Sequence, residues 1–395
     1  MKSCDFLVVG GGPAGMTFAA EAAPHSHVVV LEEHRSVGIP VQCTGLVTPR
    51  VVQMVSARDT VINELKGAYF HFPEDEVVEV RSDQVKAVVL DRAAFDQRCA
   101  DRAAEKGAEI RLGTSFLRAE IGGTVKCECR EGQRLEQHQA KLLVGADGYK
   151  SKVASAVGLK GAKEKVRGIQ VDLRHREDEQ DMLEVHLGKK VAPGFFAWKI
   201  PCGDMTRVGV GSSLRHDVPM TYLTSLLRHL GFGDKERLSV ISGLIPIGLP
   251  PETFADRALL IGDAAGQAKP LSGGGLYTGM VAARFGAKTA LECLERGDFS
   301  SQSLSVYEER WRAEMGKELD RGYLIRKAFL RLSDHKLAEL ARALNREDVR
   351  SVLSEGDIDF PSDLASKVLR TAPSLVRFGP SLLFSLLPKG ARNAK

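Results

Sequence analysis

Short apolar runs that end at a glycine or an acid recur along the chain and set its element pattern. Asp5-Phe6-Leu7-Val8-Val9, Val28-Val29-Val30-Leu31, Lys141-Leu142-Leu143-Val144-Gly145 and Ala258-Leu259-Leu260-Ile261-Gly262 read as buried strands of a parallel sheet. Ala14 to Ala23 reads as a helix between the first two. Val88-Val89-Leu90-Asp91-Arg92 leads into a helix from Ala93 to Lys106, with Asp91 as its N-cap. Residues 51 to 90 mix short strands with polar turns. Further short strands are expected at Glu109 to Leu112, around Phe116 and at Val125 to Cys129. Residues 165 to 250 alternate strands with Pro/Gly turns and predict a second, largely antiparallel sheet. After Leu276 the pattern is mostly helical. No internal repeat or low-complexity segment interrupts it.

This order predicts an α/β fold: a Rossmann-type dinucleotide-binding domain, an inserted, mainly antiparallel β substrate domain, and a helical C-terminal region. The expected boundaries are 1–164 and 251–297 for the two parts of the binding domain, 165–250 for the insert and 298–395 for the helical region. At 395 residues the chain is long for one core, which fits two intimately joined domains. A net charge of +4 is nearly balanced for this size and gives no reason to invoke nucleic acid. The first strand leaves no room for a signal peptide, and no run reaches the ~18 apolar residues of a transmembrane helix. Seven scattered cysteines with no Cys-x-x-Cys pair predict reduced thiols in a cytoplasm, with no metal or iron–sulfur site. His71, His175 and His186 fall in expected sheet segments and read as surface or satisfied core residues.

Three separated segments carry the chemistry. Gly10-x-Gly12-x-x-Gly15 follows the first strand and opens the first helix. Its first glycine allows the tight turn, its second a close approach of the backbone to a pyrophosphate, and its third close helix–strand packing. Phosphates would sit on the helix N-terminus, near Ala14. Glu32 ends the second strand twenty positions after Gly12, at the spacing of a ribose-binding acid, with Glu33 as the neighbouring alternative. Ala146-Asp147-Gly148 and Gly262-Asp263-Ala264-Ala265-Gly266 follow in an order that points to flavin adenine dinucleotide (FAD).

The ordered set resembles the flavoproteins built like aromatic hydroxylases, and within them the geranylgeranyl reductase family, over nearly the whole chain. The resemblance rests on Val89-Leu90-Asp91-Arg92, on Gly262 to Leu276 with its Gly273-Gly274-Gly275 turn, on Val41-Gln42-Cys43-Thr44-Gly45 and on Pro193-Gly194-Phe195-Phe196-Ala197-Trp198-Lys199-Ile200-Pro201. It implies that Arg92 and Asp263 contact FAD, Asp263 at the ribityl chain. It also implies a backbone contact at Phe116 to the adenine end, and a helix start at Gly275 and Leu276 facing the flavin ring. Cys43 and Thr44 would lie beside that ring, and Phe196 and Trp198 would line a lipid cavity. Phe196 and Ile200 replace a tyrosine and a phenylalanine of the family motif, which removes a phenol and leaves the cavity more apolar.

The implied activity is saturation of isoprenoid C=C bonds by hydride from reduced flavin, with geranylgeranyl chains of archaeal-type glycerophospholipids or a related prenyl lipid as substrate. Cys43 is the candidate catalytic residue, either relaying a proton or serving as a packing thiol. The electron donor is NAD(P)H, a ferredoxin or a deazaflavin. A flavin monooxygenase and a flavin-bearing lipid carrier are the competing readings. From Leu364 to Leu387, apolar residues with basic neighbours are broken by Pro373 and Pro380. They read either as helices covering the core or as peripheral contacts with the inner face of a membrane.

Overall fold

The computed structural model describes residues 2–214 and 218–378. Parallel pairing builds the principal sheet. Lys2–Val9 lies between Val28–Leu31 and Arg134–Gly145; the former pairs onward with Glu109–Arg111 and the latter with Ala258–Leu260. Phe254–Ala255 and the antiparallel strands Thr114–Ile121 and Val125–Glu131 complete it. The central strands are apolar on both faces because both are covered: Phe6, Leu7, Val8, Val28, Val30 and Leu31 are all buried. Helices Pro13–Ala22, Arg92–Glu105 and Leu276–Arg296 contribute to the core on one face. Asp91 caps the second of these, its carboxylate accepting from the Ala94 N–H at 3.1 Å.

The second sheet runs, in spatial order, Arg237–Ile247, Glu164–Leu173, Met205–Ser213, Ala197–Cys202, Met182–His186, Gly67–His71 and Val77–Arg81. Its last two strands come from residues 67–81, so the sheet extends beyond the expected 165–250 insert. Gly67–His71 pairs parallel with Met182–His186, the one parallel pairing of this sheet among the described residues. Residues 51 to 90 also contribute most of a helix, Pro49–Val55, where short strands alone were expected. His71 and His186 stack at 4.5 Å, with their Nε2 atoms 3.3 and 3.0 Å from Glu184 Oε2. His71 is half-buried and His186 buried, and both rings face the Glu184 carboxylate.

Helices Lys317–Phe329, Asp334–Leu344, Glu347–Glu355 and Pro361–Thr371 follow. Val368, Ala372, Leu375 and Phe378 are buried together with Val349, so this part of the C-terminal segment covers a core. Residues 379–387 of that segment lie outside the described residues. Among the described residues no helix is long and apolar enough to cross a membrane. One carboxylate ties the C-terminal layer to the binding domain. Asp359 accepts from Lys269 Nζ at 2.6 Å and from Thr48 Oγ1 at 2.5 Å, with Arg50 at 3.4 Å. Asp359→Ala therefore leaves the Lys269 ammonium buried and unpaired. We expect a loss of about 3–5 kcal/mol in urea unfolding, and a smaller loss for the apolar pair Lys269→Met/Asp359→Leu. A loss within about 1 kcal/mol for Asp359→Ala would show that the clamp carries little load.

Candidate active site

Backbone contacts shape the first wall of the site. Gly10 has φ of 108° and donates its N–H to Leu31 O at 2.8 Å. A Cβ at Gly15 would lie 2.1 Å from Gly10 O, so helix and strand touch there, whereas a Cβ at Gly12 would meet nothing within 4 Å. The turn thus packs tightly behind and leaves a void in front. The free N–H groups starting Pro13–Ala22 open toward that void. Glu32 Oε2 accepts from the Gly11 N–H and its Oε1 from the His34 N–H, each at 2.8 Å, whereas Glu33 is exposed. The carboxylate that bends back to the glycine turn is therefore the strand-end acid.

Asp147 takes a structural place. It accepts from Ser151 Oγ at 2.6 Å and from the N–H groups of Lys152 and Val153 at 2.7 and 3.1 Å, ordering the start of a short helix. Phe116 is buried, and its carbonyl accepts from Lys152 Nζ at 3.5 Å.

The return segment is held from behind by a buried network. Gln267 Oε1 accepts from the Gly262 N–H at 2.7 Å, Gln267 Nε2 donates to Tyr307 Oη at 3.0 Å, and that hydroxyl donates to Leu260 O at 2.7 Å. The loop is rigid as a result, and it presents Asp263 to the cavity. No hydrogen bond reaches the Asp263 carboxylate among the described residues. Burial pushes its pKa up to about 6, with nearby Arg92 pulling the other way. Gly275 begins the helix Leu276–Arg296 with no side-chain cap, leaving free N–H donors on the same side.

Cys43 sits among cations. Its Sγ accepts from the Gly45 N–H at 3.4 Å and lies against the Arg92 guanidinium. Arg92 forks onto Asp96 at 2.9 to 3.1 Å. Burial disfavours the Arg92 charge, but the Asp96 carboxylate favours it and keeps the guanidinium protonated. Arg207, paired with Asp172 at 2.8 Å, donates to the Thr44 carbonyl. Across the cavity, Phe196 stacks on Phe195 at 4.2 Å and meets Trp198 edge-on at 5.9 Å. Gly209 and Gly211 make room for these rings: a Cβ at either would lie 2.3 Å from Trp198 or Phe195.

The expected site residues converge. Gly10, Gly12, Ala14, Glu32, Cys43, Thr44, Arg92, Phe116, Asp263, Gly275, Leu276, Phe196 and Trp198 all border one cavity of about 1190 Å³, and Gly15 alone stands behind it as a packing position. Sequence reasoning missed Gln170. It borders the same cavity and is 3% exposed, and its Oε1 accepts from Trp198 Nε1 at 3.3 Å. Because indole can only donate, the free atom is the Nε2 donor, which has no partner. A single glutamine among the other polar residues of the strand Glu164–Leu173 offered no signal in the sequence.

The void over Gly12, two uncapped helix starts and an orphaned carboxylate between them fit FAD: pyrophosphate, ring carbonyl and ribityl hydroxyls match them in charge and donor type. Fold and site define an FAD-dependent flavoprotein with the aromatic-hydroxylase-like architecture. The family model described as lycopene cyclase protein matches residues 5–352. An uncharacterised protein of Methanocaldococcus jannaschii is 29% identical over 374 residues, covering 93% of this chain and 95% of its own. Digeranylgeranylglycerophospholipid reductase 2 of Methanopyrus kandleri is 30% identical, covering 96% and 99%. Among solved structures, a geranylgeranyl bacteriochlorophyll reductase-like protein of Thermoplasma acidophilum superposes with a TM-score of 0.87 at 24% identity, covering 97% of this chain and all of that one. The chain belongs to the lycopene cyclase family of flavoproteins and, within this fold, to the geranylgeranyl reductases.

A carboxyl whose pKa is raised by folding adds stability at low pH and loses it as pH rises through the folded value, here about 6. In flavin-free protein, Asp263→Asn should therefore raise the melting temperature above pH 7, with the gain vanishing below about pH 4. The same change should weaken FAD retention. A melting difference independent of pH would contradict the assignment of Asp263 as a desolvated, ligand-facing carboxyl.

Proposed function

We propose that this protein is an FAD-dependent reductase that saturates isoprenoid C=C bonds, with geranylgeranyl chains of glycerophospholipids as its substrate class. The observation that carries this reading is the continuity of the cavity. The dinucleotide cradle and an apolar wall of Phe70, Val185, Phe196, Trp198 and Phe329 enclose one space, with Cys43 bordering it too. The near full-length similarity to relatives named digeranylgeranylglycerophospholipid reductase supports the same substrate class.

Gly12 and the first helix start would hold the pyrophosphate of FAD, Glu32 its adenosine ribose, Asp263 its ribityl chain, and Gly275 and Leu276 its ring carbonyl edge. Bound FAD, once reduced, supplies a hydride equivalent to the alkene. The chain's own residues do the rest. Phe196 and Trp198 orient the isoprenoid and exclude water, raising the fraction of time the alkene spends in a reactive pose. Cys43 Sγ supplies a proton to the second carbon, and Arg92 and Arg207 flank it as fixed positive charge. Loss of the phenol at position 196 leaves the thiol as the proton donor closest in kind to the task. Electrons come from a separate carrier, NAD(P)H, ferredoxin or deazaflavin, and the lipid is collected at the inner face of a membrane.

The test is turnover with each donor in turn, read by the mass of the lipid. The expected product gains two hydrogens per saturated bond, and Cys43→Ser lowers kcat by roughly 10²-fold or more while leaving bound FAD unchanged. Oxygen uptake with a hydroxylated product would replace this reading with a monooxygenase. Unchanged kcat in Cys43→Ser would leave the thiol a packing group.

A further inference from the structure

Among the described residues, the half-buried Arg92 and the buried Lys269 border the cavity and are neutralised by carboxylates at hydrogen-bond distance, Arg92 by Asp96 at 2.9 Å and Lys269 by Asp359 at 2.6 Å. Arg326 is the exception. It projects from the helix Lys317–Phe329, is 4% exposed, and donates from Nη2 to the Gly194 carbonyl at 2.7 Å. Its guanidinium stands 5.3 Å over the Phe195 ring. Its Nε is buried without a hydrogen-bond partner. Glu164 comes no closer than 3.8 Å, and its other oxygen already accepts from Tyr323 Oη at 2.7 Å. Phe329 and Leu330, one turn further along, border the same cavity, so this helix face is apolar apart from one cation. A guanidinium removed from water and short of acceptors calls for an anion, and its fork matches phosphate oxygens.

We propose that Arg326 is the anion-binding group of the substrate half of the cavity and takes a phosphate of the prenyl substrate. The polar end of the lipid then lies against the helix Lys317–Phe329, and its chain runs along the Phe196 and Trp198 wall. This rests on the prenyl-lipid reading above. It assigns a specificity role to a residue in the C-terminal region, away from the family motifs.

The test is binding to oxidised holoenzyme, which needs no turnover. Three probes are titrated: geranylgeranyl diphosphate, digeranylgeranylglyceryl phosphate in detergent, and uncharged geranylgeraniol. Arg326→Met is expected to weaken the phosphate-bearing probes by roughly 10- to 100-fold while geranylgeraniol changes less than about 3-fold, and Arg326→Lys to recover part of the loss. A loss confined to the glyceryl phosphate identifies a lipid headgroup as the anion, and one confined to the diphosphate identifies a free prenyl diphosphate. Equal weakening of all three, or of none, overturns the proposal and reduces Arg326 to a support for Gly194. If Arg326→Met loses its flavin, the same comparison in Arg326→Lys and Arg326→Gln decides. Wild-type protein that binds none of the probes overturns the prenyl-lipid reading along with this one. Wild-type turnover with an indifferent Arg326 overturns this one alone.

Discussion

The site depends first on how closely the first helix meets the first strand. With no Cβ at position 15, the helix packs against the Gly10 carbonyl, and its N-terminal N–H groups are aimed over Gly12 into open space. A methyl at position 15 would push the helix off the sheet, and the void, the anion-binding geometry and the position of Glu32 would go with it. The return segment repeats the logic at longer range. Gln267 and Tyr307 fasten the loop to the sheet from behind, so Asp263 can face the cavity without a protein partner of its own.

Such a carboxylate is costly in the empty protein and useful in the loaded one. The same holds for the other orphaned groups around the cavity. Gln170 Nε2 and Arg326 Nε are buried donors with nothing to donate to. Buried polar groups are ordinarily satisfied, so these two, both bordering the cavity, mark where ligand groups fit. The wall between them is apolar and includes Phe196 and Trp198. Glycines at 209 and 211 make that wall possible by letting Trp198 and Phe195 lie flat on a neighbouring strand.

Much of this was legible in the amino-acid order because the cradle is made by backbone. A glycine turn, the strand before it and the acid after it are local, and local geometry leaves a local pattern. Asp91 as a helix cap and Val28–Leu31 as a strand were readable for the same reason. What escaped depends on distant partners. Lys269 and Asp359 are 90 residues apart, and nothing in either neighbourhood announces the other. The strands Gly67–His71 and Val77–Arg81 join the second sheet through pairing with Met182–His186, which a read of residues 51 to 90 alone cannot foresee. Gln170 and Arg326 became visible only once the cavity existed and their unpaired atoms could be counted.

If flavin and isoprenoid share one cavity, reducing equivalents pass between them there directly. An anaerobic single turnover decides this: the bound flavin is reduced chemically, the prenyl lipid is added and the flavin spectrum is followed. The oxidised spectrum should return on addition of lipid, with one double bond consumed per flavin. A flavin that stays reduced in the presence of bound lipid, and reoxidises only when oxygen is admitted, would contradict it.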